Sequence, residues 1–234
     1  MKYLYVLAIG LFFTPCFAQK KSKKDHLVTI CTPYGEMKAV LYDQTPLHKA
    51  NFLKLAESYF YDSLLFHRII QSFMIQGGDP NSKKAASGVR LGNGGGNLER
   101  IPAEFRPDLF HKRGVMAAAR DGNPEKKSSA CQFYIVQGKV HNDTSLDIEL
   151  KRLEGTQMPT AAQREVYKTL GGSPHLDGNY TVFGEVFSGL SVIDSIAKQP
   201  RDAANRPLKD IQMRMKVEKM RKKKITKQYG YRFN

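Results

Sequence analysis

Apolar and polar positions alternate over His26 to Thr32 and again over Met37 to Tyr42, on either side of Pro33-Tyr34-Gly35. Alternation puts every second side chain on one face of a strand, and the Pro and Gly between two such runs mark a turn. The pair therefore predicts a β-hairpin. At Thr45-Pro46 the period changes. A Pro at the first helical position follows a Thr N-cap, and Leu47, Ala50 and Leu53 with Phe52, Leu55 and Ala56 make one broad apolar face, which predicts a helix to about Ser58. Short apolar runs then follow at Phe66 to Ile70, Phe73 to Ile75, Val115 to Ala119 and Phe133 to Val136, separated by Gly, Pro, Asn and Lys. That is the rhythm of a sandwiched or closed β-protein. Leu146, Leu150 and Leu153 return to helical spacing, and Thr160 with Gln163 reads as a capping box for a second helix that stops at Gly171-Gly172. Residues 142–170 are thus expected to be a helical insertion between strands. Tyr180 to Val186 reads as strand, Ser191 to Ala197 as a short helix, and Ile211, Met213, Met215 and Val217 alternate strictly, as a closing strand would.

Composition changes the picture mainly at the two ends. With 234 residues, 41% hydrophobic and 25% charged, the chain can build one sizeable core. Its net charge of +15 is unevenly placed: from Arg214 onward there are nine Lys or Arg and one Glu. Charge governs encounter rather than fold. Residues 218–234 are expected to form a basic, disordered tail, too poor in apolar residues to order itself. Tyr229, Tyr231 and Phe233 among its lysines fit contact with an anionic membrane surface. At the other end, Lys2, the mostly apolar run Tyr3 to Phe13 and Phe17-Ala18 read as a secretory signal over residues 1–18, with a basic linker over 19–26. The apolar run is too short to span a bilayer. Export is therefore expected, to the periplasm in a Gram-negative source, and nucleic acid is not an expected partner. Lipid attachment at Cys16 is the less favoured alternative, because Phe13-Thr14-Pro15 precedes it poorly. Cys31 and Cys131 leave their pairing open.

The run Phe66-His67-Arg68-Ile69-Ile70-Gln71-Ser72-Phe73-Met74-Ile75-Gln76-Gly77-Gly78-Asp79 resembles the signature of the cyclophilins. Three further blocks are similar to family blocks in the same order: Ile101 to Phe105, Cys131 to Val136, and Leu176 to Val186. The resemblance spans roughly residues 27–217 and implies a mainly β fold: a closed eight-stranded antiparallel barrel capped by two helices, with a peptide groove outside. It implies a monomeric peptidyl-prolyl cis-trans isomerase acting on proline-containing polypeptides without cofactor or metal. By the same resemblance Arg68 and Gln76 are catalytic, and Phe73, Met74, Tyr134 and Leu176 line the proline pocket. Gln132, with Gln76, holds substrate backbone, and the main chain of Ala119-Arg120-Asp121 pairs with residues before the proline. His175 and Tyr180 rim the groove where many members carry tryptophan and histidine. Tyr134, where phenylalanine is commoner, brings a hydroxyl that needs a partner. Gly92 to Asn97 lacks the Gly-Lys-Ser/Thr of a phosphate loop and reads as a loop beside the groove.

The chemistry stands without the family. Amide resonance gives the X-Pro bond a rotation barrier of roughly 18–20 kcal/mol, and no covalent bond need break. A catalyst must bind the twisted amide, whose nitrogen regains a lone pair, better than either planar form. A fixed guanidinium, always charged and pre-organised, can donate to that lone pair. No proton is transferred, so His67 is expected to be a packed residue and not a base. A client-binding module using the same groove with little turnover is the competing expectation, and an envelope-surface protein acting through the tail alone is a third.

Overall fold

The structure is a computed structural model that describes residues 22–153 and 158–233; the expected signal at 1–18 and Cys16 lie outside them. Eight strands form one sheet: β1 (Lys24–Thr32), β2 (Gly35–Leu41), β3 (Arg68–Ile70), β4 (Met74–Gly77), β5 (Val115–Ala118), β6 (Phe133–Val136), β7 (Val182–Ser188) and β8 (Arg214–Arg221). The order is β3-β4-β6-β5-β7-β2-β1-β8, and every neighbouring pair is antiparallel. Of the expected closed barrel, the eight antiparallel strands are present and the closure is not. No ladder joins the terminal strands β3 and β8. Instead the segments just ahead of them meet: Phe66 donates from its backbone N to Ile211 O at 2.9 Å, and Met213 to Leu64 O at 2.8 Å. β3 is only three residues long, so its pairing capacity ends on β4.

Alternation sorts the strands into two faces. Ile69, Ile75, Met116, Ala118, Phe133 and Ile135 point into the main core, where helix α1 (Pro46–Glu57) adds Phe52 and Ala56. Helix α4 (Leu190–Ala197) covers the same core with Val192, Ile193, Ile196 and Ala197. These are the two capping helices. Thr45 stands at the N-cap of α1 but makes no side-chain cap bond. Glu104, 56 residues from His48, accepts from the N–H groups of Leu47 and His48 at 3.1 and 3.0 Å. The intervening positions, Met74, Val115, Ala117, Tyr134 and Val136, form a second apolar cluster with Leu176 and Val182.

The insertion contains α2 (Asp143–Leu150) and α3 (Ala161–Thr169), and the Thr160/Gln163 capping box is present. Leu146, Leu150, Leu153 and Tyr167 give it a small core of its own, with Phe110 packed against it. The tail departs from expectation. β8 runs on to Arg221 and α5 (Lys222–Tyr229) follows, so residues 218–229 are ordered rather than a disordered extension. Its few apolar groups suffice because they dock: Ile225 is fully buried, Tyr231 stacks on Phe187 with ring centroids 4.9 Å apart, and Tyr231 Oη donates to Glu185 at 2.7 Å. β1 likewise starts inside the expected linker. Cys31 and Cys131 are both free thiols.

Candidate active site

Register places the site. Arg68 lies directly opposite Gln76, Gln76 opposite Tyr134, and Tyr134 opposite Ala117. Direct partners share a face, so Arg68, Gln76 and Tyr134 form one row across β3, β4 and β6 on the side away from the core. Met74 shares that face two residues along β4. Phe73 comes from the turn between β3 and β4, where Ser72 takes a left-handed φ of 63° and its N–H donates to Gln137 Oε1 at 2.6 Å. Leu176 ends a 3-10 turn (Pro174–Leu176), and Tyr180 follows it. Phe73, Met74, Gln76, Ala119, Arg120, Tyr134, Leu176 and Tyr180 line one cup of about 90 Å³. A second cavity of about 370 Å³ shares Gln76, Ala119 and Arg120 with it, adds Gln132 and continues along the Gly92–Gly96 loop.

A polar chain borders the cup. Arg68 Nη1 donates to Gln76 Oε1 at 3.1 Å, Gln76 Nε2 to Gln132 Oε1 at 3.2 Å, and Gln132 Nε2 to Gly92 O and Gly94 O at 2.9 and 3.0 Å. Its direction is forced at both ends: a guanidinium only donates and a carbonyl only accepts, so each amide has one consistent orientation. Both glutamines thereby engage protein partners, and Gln76 is the one that meets Arg68. The loop end is fixed by Asp79, fully buried, whose carboxylate accepts from Gly92 N and Asn81 N. The Gly-Gly-Asp end of the sequence motif has the same cause. Gly78 adopts φ +91°, and a Cβ there would fall 2.1 Å from Cys131 O. Burial draws the Arg68 guanidinium down from its ordinary value, opposed by Tyr180; an arginine still keeps its charge at neutral pH.

Other predicted residues fall in particular places. Ala119 donates its N–H to Gln132 O at 2.9 Å, and its carbonyl accepts from Ser129 N at 2.8 Å. The Arg120 side chain folds back, with Nε on Asn179 O at 2.8 Å and its guanidinium 4.7 Å above the Tyr180 ring. His175 is not among the cup's lining residues; it backs Phe73, with ring centroids 5.5 Å apart. The Tyr134 hydroxyl meets His111 Nε2 at 3.0 Å. Sequence reading missed His111, Asp177, Tyr167 and Glu149, which stand behind the cup. The one available signal was the Tyr134 hydroxyl and its need for a buried partner.

The sequence model for the cyclophilin type peptidyl-prolyl cis-trans isomerase/CLD family matches residues 27–217. The chain belongs to the cyclophilin family. It is 38% identical over 189 residues to a Streptococcus pyogenes protein named as a bifunctional phosphatase/peptidyl-prolyl cis-trans isomerase, covering 79% of this chain and 37% of that protein. It is 31% identical over 192 residues to the peptidyl-prolyl cis-trans isomerase-like 3 of Gallus gallus, covering 80% and 92%. Among solved structures, a Cryptosporidium parvum cyclophilin type peptidyl-prolyl cis-trans isomerase superposes with a TM-score of 0.59 at 24% identity, over 83% of this chain and 98% of that one. The same Cryptosporidium enzyme has been crystallised in the presence of the dipeptide Ala-Pro. The matched residues take in both cavities and helices α2 and α3 and stop short of α5.

Proposed function

We propose that this cyclophilin accelerates cis/trans rotation of X-Pro bonds in exported client polypeptides and so assists their folding. The observation that carries the reading is the hydrogen bond that ties Arg68 to Gln76, itself a lining residue of the cup with Phe73, Met74, Tyr134 and Leu176. The apolar cup takes the pyrrolidine ring. The guanidinium then lies where the proline nitrogen regains its lone pair, an interaction stronger in the twisted amide than in either planar isomer. Arg68→Ala is expected to lower turnover of an Ala-Pro peptide at least about tenfold, roughly 1.4 kcal/mol of barrier, with the fold retained. A protease-coupled isomer assay decides it. Wild-type turnover no faster than buffer would leave the client-binding module as the better reading. The ordered basic helix α5, with Lys223, Lys224 and Lys227 exposed, supports contact with an anionic envelope surface. Replacing Lys223 and Lys224 by Glu is expected to reduce retention on anionic vesicles at low salt and leave turnover unchanged; undiminished retention would remove the membrane contact.

A further inference from the structure

The insertion reaches the groove at two points. At the first, Tyr167 of α3 donates from Oη to Asp177 Oδ2 at 2.6 Å. Asp177 Oδ1 accepts from the backbone N–H and the ring Nδ1 of His111, both at 2.8 Å. The other ring nitrogen, Nε2, meets Tyr134 Oη at 3.0 Å. Burial raises both phenols above their ordinary value, so both hydroxyls keep their protons. The four side chains are all buried, the most exposed being Asp177 at 8%. At the second point, Glu149 of α2 brings Oε2 within 3.3 Å of His175 Nδ1, and the His175 ring rests on Phe73. Lys139 and Arg152 hold the same carboxylate. Asp177 joins the two points. It directly follows the turn bearing His175 and Leu176, and its N–H closes that turn on Pro174 O at 3.1 Å.

We propose that residues 143–169 brace the proline cup. Tyr167, acting through Asp177 and His111, is a positioning residue that fixes the Tyr134 ring as the floor, and Glu149 steadies the His175–Phe73 wall. With its hydroxyl drawn back to His111, Tyr134 offers the ligand an apolar face. Released, it would turn the hydroxyl toward the cup or leave a buried acceptor unpaired, and either weakens capture of an apolar ring. The inference rests on the isomerase reading for its ligand, an X-Pro peptide.

Calorimetric binding of an Ala-Pro peptide to the full chain, beside turnover of the same peptide, tests it. Tyr167→Phe removes one oxygen and is expected to raise Kd about fivefold, the scale of one lost net hydrogen bond. KM should rise with it, while kcat stays within about twofold and unfolding remains one cooperative transition. In a Tyr134→Phe background, where the link is already cut, the same substitution should change Kd by less than about twofold. A wild-type Kd in Tyr167→Phe, or the full loss persisting in the double variant, overturns the brace. Should Tyr167→Phe not fold, Glu149→Gln carries the test: binding weakened about threefold supports the brace and unchanged binding overturns it. A wild-type chain that binds the peptide without accelerating its isomerisation sinks the isomerase reading and leaves the Kd comparison decisive. No binding by the wild type overturns both.

Discussion

The two faces of β3, β4, β6 and β5 are built from the same fifteen strand positions and obey different rules. On the inner face Ile69, Ile75, Phe133 and Ile135 are fully or almost fully buried, and only volume and apolarity matter. On the outer face Met74 and Tyr134 are buried too, but Arg68 and Gln76 are half-buried, and Arg68, Gln76 and Tyr134 each have a directional hydrogen-bond partner. The stiff inner face is what lets the outer face hold a charged side chain still. An arginine on a flexible loop would lose that fixed position.

The largest effect expected from breaking this contrast lies on the inner face. Phe133 packs edge-on against Phe52, Tyr61 and Phe66, and Phe133→Ala should cost about 3–5 kcal/mol in urea unfolding while the surviving folded fraction keeps its KM. Next comes pH. His67 stands one residue from Arg68 on the inner side, 3% exposed, with no hydrogen-bond partner for either ring nitrogen among the described residues. Burial pushes its pKa down to about 4, with Asp79 opposing and Arg68 assisting. The unfolded chain takes up that proton near 6.5 and the folded chain only near 4. Stability present above pH 6.5 is therefore lost as pH falls toward 4, by about 3 kcal/mol. Burial gives His48 the same direction. Urea midpoints between pH 7.5 and 4.5 should fall in the wild type and fall less steeply in His67→Gln, with His48 supplying part of the remaining slope; a flat wild-type profile would refute the assignment. The smallest effect sharpens the outer face. Gln76→Ala frees Arg68 and should lower turnover about threefold, less than loss of the guanidinium itself, with a stability change near 1 kcal/mol. Loss equal to that of Arg68→Ala would make Gln76 a direct participant.

Much of the fold was legible because its signals are local. Period-two runs marked β1, β2 and the approach to β8, short apolar runs marked β3 to β6, Thr160 and Gln163 gave the start of α3, and the motif from Phe66 to Asp79 held Arg68, Gln76 and the buried aspartate that ties down the glycine loop. Where the local signal was a side chain seeking a partner, sequence named the need and not the partner. Glu104 caps α1 in place of Thr45, and His111 satisfies Tyr134. The tail was misread because counting apolar residues ignores what they can dock on: Ile225 and Tyr231 order it against β7 and its neighbours.

By itself, then, the amino-acid sequence determined which residues alternate, where helices begin, and that Arg68, Gln76 and Tyr134 belong to one family block or another. Only the tertiary structure decided that the sheet stays unclosed between β3 and β8, that His175 backs the cup rather than lining it, and that two inserted helices stand behind its floor. The reason is physical. Alternation and capping are fixed by dihedrals and neighbours a few residues apart, whereas a hydrogen bond between residues 23 positions apart, as from Tyr134 to His111, exists only once non-local packing has removed water from both.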